Sequence, residues 1–377
     1  MKIDLLYELQ YPKPWTTPQW KGEHKVFWNC LSQIELADKL GFDTVWLVEH
    51  HAREERSHSA APEIFLGAVA MKTKDIRLGH GVVLLPHPFN HPVRVAERIA
   101  VLDLLSNGRV EFGTGRSTRF EQETFRIKYE DSRGMWAEAM EAIPQMWMKE
   151  KFSYKGKYLD IPERNIVPKP MQDPHPPLWM AASNDDSYPI AASIGVGTLG
   201  LTILLPLDRL EQRIKTYKRD VKHAKPVGAV LNERHGAYTL VMCADSKEKA
   251  RQAGAYDSVA WWLTHAVLAT TIWEGQQSTN KMFGDYPLLQ SYHEGKAGVE
   301  AFDDAEMVII GNPDEVIRKM EAYEKIGIDH ILCDVDFGHM KHEDIMHSIE
   351  LLGQYIIPYF KKKGTMNVTG PGAKAGR

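Results

Sequence analysis

IRLGHGVVLLPHPFNHPVRVAERIAVLDLLSNGRVEFGTGR, residues 76–116, is the stretch that decides the fold. It opens with an almost unbroken apolar run, Ile76–Leu85, of the length and Val/Leu richness of a strand covered on both faces. Pro92–Leu105 then alternates apolar and charged residues with helical spacing and carries proline at its first position. Asn107-Gly108 stands where a left-handed C-cap is expected, and Val110–Gly113 is a second apolar run. Strand, helix and strand joined by short connections make a βαβ unit, which needs a parallel sheet with helices over it.

The same alternation extends in both directions. Strand-like runs occur at Lys2–Leu9, Thr44–Val48, Pro177–Ala182, Thr198–Leu204, Ala237–Cys243 and His330–Phe337. Amphipathic segments lie at Asn29–Leu40, Ser132–Met148, Leu207–Ala224, Pro313–Ile326 and His342–Phe360. Gly41 and Gly327 again follow helices as C-caps. Eight such strands are the number that closes an α/β TIM (β/α)8 barrel. The reading is therefore one domain over 1–360, with an insertion or lid at 254–304 before the last strand and a flexible tail at 361–377. Within the insertion, Trp261, Trp262 and Trp273 precede a polar run, Glu274–Gly298, that reads as a long loop.

Bulk properties narrow the function. The 377 residues are 43% hydrophobic and 25% charged with a net charge of −4, so nothing draws the chain to nucleic acid or an anionic membrane. No apolar stretch is long enough to span a bilayer, and MKIDLLYELQ lacks the apolar core of a signal peptide. Cys30, Cys243 and Cys333 are odd in number and far apart, which fits a reducing cytoplasm better than a disulfide framework.

A barrel of this kind carries its site at the C-terminal ends of the strands. Those ends supply Glu49-His50-His51, Gly113-Thr114-Gly115-Arg116 and Ala182-Ser183-Asn184. Strand alternation sends His50 and His51 to opposite faces, so one faces the barrel mouth and the other a helix. Position alone leaves a proton-handling histidine and a hydrogen-bonded strand-end histidine equally open. The glycines read as a strand end opened for a flat ligand, with Arg116 beside it for a phosphate; a tight turn with a surface arginine is the plainer alternative. Ser183 to Ser187 read either as capping residues or as a phosphate site at a helix N-terminus. The latter requires Asp185 and Asp186 to turn away. His24, His50, His51, His58, His80, His87 and His91 crowd the first quarter, but no HxH or HExxH accompanies them, and no metal is expected.

Taken together, these motifs resemble the bacterial luciferase-like flavin-dependent monooxygenase family. The resemblance is carried by Phe42–His51, Arg77–Pro86, His91–Glu97, Leu102–Arg109, Phe112–Arg116, Asp131-Ser132-Arg133, Pro176–Ser183 and Gly311–Val316, in that order. It covers most of 1–205 and 305–360 and is weak over 254–304. It implies reduced FMN as cofactor, O2 as co-substrate, and oxygenation of a small organic substrate through a C4a-(hydro)peroxyflavin, with the reduced flavin supplied by a separate reductase. It implies that His50 is catalytic and that a non-prolyl cis peptide at Gly81-Val82 lies under the isoalloxazine. It also implies that Arg116, Thr118, Arg133, Ser183, Asn184 and Ser187 hold the cofactor phosphate. Trp262 and His265 are the candidates for a substrate wall, and His80 and His91 are secondary candidates near the flavin edge. Related barrels use a deazaflavin for hydride transfer, and others bind flavin without turnover; both are alternatives. A homodimer through outer helices fits the family. Substrate identity is not readable.

Overall fold

The computed structural model describes residues 1–368. Eight parallel strands follow one another around a ring: β1 (Lys2–Tyr7), β2 (Thr44–Leu47), β3 (Arg77–Leu84), β4 (Val110–Gly115), β5 (Leu178–Ala181), β6 (Gly197–Leu201), β7 (His235–Cys243) and β8 (His330–Asp334). Leu5 of β1 stands opposite Val45 of β2 and Cys333 of β8, and Gly200 of β6 opposite Ala237 of β7, so every barrel strand is paired on both sides. Closure removes the open edges that a flat parallel sheet would leave. The eight apolar runs of the sequence are these eight strands.

The main covering helices are α1 (Gln19–Leu40), α2 (Pro62–Lys72), α3 (Pro92–Leu105), α4 (Tyr129–Met148), α5 (Ser187–Ile194), α6 (Leu207–Asp220), α7 (Pro313–Lys325) and α8 (His342–Leu351). Two of the starts are capped by their own side chains. His91 accepts from the Val93 N–H ahead of α3, and Asn312 and Glu315 form a reciprocal capping box around Pro313 at the start of α7. Asn107 and Gly41 take the left-handed conformation after their helices, with φ of 57° and 82°. Val95, Ala96, Ile99 and Ala100 form the buried face of α3. Fully burying a side chain of the size of Val or Ile contributes about 1.5–3 kcal/mol.

Three elements differ from the sequence expectation. α1 begins ten residues before Asn29, because its first turns are exposed and carry no apolar stripe for periodicity to detect. The polar run Glu274–Gly298 is not a loop: it holds the helices Gln276–Asp285 and Pro287–His293, which pack Phe283, Leu289 and Tyr292 inward. Helices this short bury too few residues to show a period in a long window. A helix, Ile357–Val368, also runs into the segment expected as a tail; the remainder of that tail lies outside the described residues.

The lower barrel is a polar-braced plug. Trp46 and Trp179 meet edge to face at 5.5 Å, and their indole N–H groups donate to Asp4 (2.8 Å) and Glu111 (2.6 Å). Asp4 also accepts from His330, and together with Asp43 they are the one group among the described residues whose atoms could converge on a metal. It sits at the N-terminal end, where barrel residues serve stability, and not among the histidines of the first quarter. No described helix is long and apolar enough to cross a membrane.

Candidate active site

All eight strands send residues to one cavity at their C-terminal ends, with about 1270 Å³ of empty space counting its open mouth. Its lining includes His50, Gly81, Val82, Arg116, Thr118, Arg133, Ser183, Asn184 and Ser187. The nine positions that the sequence motifs single out for cofactor and catalysis thus come together, although they span more than a hundred residues of chain.

His50 follows β2 and turns its ring into the cavity. Its Nδ1–H donates to Glu121 at 2.9 Å, and its Nε2 makes no hydrogen bond among the described residues. Glu121 lies in the short helix Arg119–Thr124 after β4 and is fully buried. It also accepts from the His51 backbone N–H (2.8 Å), Ser117 Oγ (2.5 Å) and Thr118 Oγ1 (2.9 Å). Burial pushes this carboxyl up, but the His50 charge and these donors outweigh it and hold Glu121 well below the ordinary carboxylate range. A permanent carboxylate therefore fixes the proton on Nδ1 and leaves Nε2 to meet a ligand. His51 takes the other side as alternation requires, stacking on Phe89 at 5.7 Å and bonding Glu49.

The Gly81–Val82 peptide is cis, at the register shift between His80 and Val83. The glycines of β4 have a second use beside the one expected. A Cβ on Gly113 would lie 2.1 Å from the His80 carbonyl oxygen, and one on Gly115 2.5 Å from Val82 Cγ2. They make room for the neighbouring strand, and Gly115 also lines the cavity directly.

On the β4 side of the cavity Arg116 donates to Ser132 at 3.0 Å and Arg133 projects from α4. Neither forms an ion pair among the described residues. Burial, and then the like charge of Arg133, lowers the Arg116 pKa, so the pair is short of an anion. Ser183, Asn184 and Ser187 face them at the start of α5, with Ser187 Oγ donating to Asn184 at 3.0 Å. The repulsion expected from Asp185 is removed, because that carboxylate folds outward onto Arg213 (2.6 Å) and Arg209 (3.0 Å). Two guanidiniums, small hydroxyls and a helix N-terminus are groups that could hold a phosphate.

Four expectations fall outside the cavity. Trp262 is buried one layer behind its wall, edge to face with Tyr238 at 6.3 Å, and His265 stacks on Trp261 at 4.8 Å. No described residue of 254–304 lines the cavity. His80 points into the layer between barrel and helices, where burial lowers its pKa to about 3 with Arg98 adding to the effect, and His91 caps α3. The insertion instead clasps the rim. Arg53 donates to Thr270, Arg56 to the Ala266 carbonyl (3.1 Å), and Tyr286 to the Ser183 carbonyl (3.4 Å). Sequence reasoning missed Glu121, Glu8, Arg56 and Tyr238. Single acidic, basic or aromatic residues carry no motif, and only the place of Glu8 just past the end of β1 was available as a signal.

A family profile described as luciferase-like monooxygenase matches residues 13–330. The chain is 26% identical over 351 residues to the oxygenase component of a flavin-dependent trigonelline monooxygenase from Acinetobacter baylyi, covering 90% of this chain and 91% of that one. Its fold is shared with the oxygenating constituent of 3,6-diketocamphane monooxygenase from Pseudomonas putida, solved with FMN: TM-score 0.74, 19% identity, 95% of this chain and 98% of that one. It is shared too with the coenzyme F420-dependent tetrahydromethanopterin reductase of Methanopyrus kandleri: TM-score 0.66, 21% identity, again 95% and 98%.

Proposed function

The chain belongs to the luciferase-like monooxygenase family, and from that premise we propose that it is the oxygenase of a two-component system, taking reduced FMN from a separate reductase and using O2 to oxygenate a small organic substrate. The observation that carries this reading is the shared cavity, which holds both an anion-deficient Arg116/Arg133 pair and a His50 braced by Glu121. Reduced FMN, when bound, supplies the electrons that activate oxygen. The protein's residues hold and order it. Arg116, Thr118, Arg133, Ser183, Asn184 and Ser187 take the phosphate, Gly81 and Val82 support the ring system, and His50 Nε2 exchanges a proton with the reacting groups. Leu6, Val48, Met180, Leu199 and Leu332 line the space and keep water from it. The insertion, latched at Arg53 and Ser183, acts as the lid.

Trp28 (57% exposed) and Met71 (71%) flank an apolar groove between α1 and α2, which supports a homodimer through these helices. The three free, buried cysteines support a cytoplasmic location. The test is an anaerobic titration with reduced FMN, and in parallel with reduced deazaflavin, followed by an oxygen pulse. Tight binding of reduced FMN and oxygen uptake are expected. Binding of the deazaflavin alone, without oxygen uptake, would refute the assignment.

A further inference from the structure

β8 and β1 stand across the barrel from the phosphate end at β4 and β5. There the cavity wall is apolar (Leu6, Val48, Leu332) except for Glu8, Arg56 and Tyr238. The first two are satisfied by one another and their neighbours. Arg56 pairs with Glu8 at 3.0 Å and bonds the Ala266 carbonyl, and Gln10 donates to the second Glu8 oxygen at 3.0 Å. Tyr238 is the remaining polar group, and its hydroxyl lies 3.1 Å from Asp334 Oδ2.

Asp334 is sealed: it has no exposed surface, and its Oδ1 finds no partner. The groups around it are acidic or neutral. Tyr7 faces it from β1 and Glu8 from just after β1, Cys30 from α1, Cys333 from β8 and Asp336 from the segment after β8; the Arg56 charge is spent on Glu8. Burial first, and then the Glu8 charge, push the Asp334 carboxyl well above its ordinary range, which favours the neutral acid in this sealed, cation-free surrounding. The hydrogen bond between the two residues has room for one hydrogen. If the acid supplies it, the Tyr238 oxygen accepts, and the Tyr238 O–H is released into the cavity.

We propose that Tyr238 is a catalytic-site hydrogen-bond donor to an acceptor atom of the substrate, and that Asp334 behind it is the positioning residue that aims this donor. The substrate class that follows is an apolar compound carrying a hydrogen-bond acceptor such as a carbonyl oxygen, selected over a hydrocarbon of the same shape. Rejection of the hydrocarbon arises because it would leave the buried hydroxyl unpaired. The inference rests on the proposed flavin reading only in placing substrate at this end of the cavity.

Two measurements test it. The infrared difference between wild type and D334N at neutral pH should contain the carbonyl stretch of a neutral carboxylic acid, and that band should shift in Y238F, which removes its acceptor. In the FMN-loaded protein, calorimetry should find acetophenone bound about tenfold more tightly than α-methylstyrene, the gain of one well-made hydrogen bond. Y238F and D334L should lose that preference. D334N presents an N–H to the tyrosine oxygen as the neutral acid does, and should restore what D334L loses. Absence of the neutral-acid band, or equal wild-type affinity for the two probes, overturns the proposal. Failure of FMN to bind would instead refute the flavin reading, and would leave the infrared band in place.

Discussion

Removing the Glu121 carboxylate tests the brace behind His50. Four donors converge on this buried group: His50 Nδ1–H, the His51 N–H, and the hydroxyls of Ser117 and Thr118. The hydroxyls can turn to other acceptors, and the His50 ring can shift its proton to Nε2. The loss is therefore dominated by the charge-assisted bond from the His51 N–H, at about 1.5–3 kcal/mol, and by the burial of that N–H without a partner, at about 1–3 kcal/mol. E121L should destabilise the fold by about 3–4 kcal/mol, and E121Q, which keeps one acceptor oxygen, by about 1–2 kcal/mol. The sign with pH follows from the depressed pKa. The carboxylate stabilises the fold above its unfolded pKa, near the model-compound value of 4.5, and that contribution is lost as pH falls toward the lower folded value. Urea unfolding of wild type and E121Q should thus differ most at neutral pH and converge from about pH 5 down to about pH 3.5. Reduced-FMN-dependent turnover should fall about a hundredfold in E121L, as in H50L, with no further fall in the double variant, because both disable one proton-handling unit. A pH-independent difference between wild type and E121Q, or additive losses in the double variant, would refute the reasoning.

Three further outcomes follow from the same geometry. R116M and R133M should each weaken reduced-FMN binding about tenfold or more while leaving riboflavin, which lacks the phosphate, within about twofold, as read by anaerobic titration. G113A drives a Cβ to 2.1 Å from the His80 backbone oxygen; chemical denaturation should show a loss of about 3 kcal/mol or more, because neither strand can give way. R53A removes the Arg53–Thr270 latch and the cation–π contact with Phe120 at 5.4 Å. Amide exchange should then quicken across 263–285 with the barrel strands unchanged; uniform exchange would contradict a latch there.

Several features of the fold are set by the local sequence. The eight strands, the C-caps at Gly41 and Asn107, and the order of strand-end motifs all depend on neighbours within one turn or one strand. Parallel strands buried on both faces must be apolar throughout, so they stand out in any reading of hydropathy. The opposite facings of His50 and His51 followed from backbone alternation alone. The short insertion helices were hidden by their length, and the first turns of α1 by their exposure.

The partners of the site residues were a different matter. Glu121 reaches His50 across 71 positions, Asp334 meets Tyr238 across 96, and Asp185 turns away from Arg116 and Arg133 by pairing with Arg213 28 positions away. Whether Asp185 repels a phosphate, whether Trp262 lines a cavity or backs its wall, and whether β4's glycines face a ligand or the next strand depend on how the ring of strands closes. Local sequence determines the strands, the turns and which chemical groups arrive at the barrel mouth. Only the closed barrel decides which of them share a proton, a charge or a wall, because those energies fall off within a few ångströms of contacts that the chain order does not record.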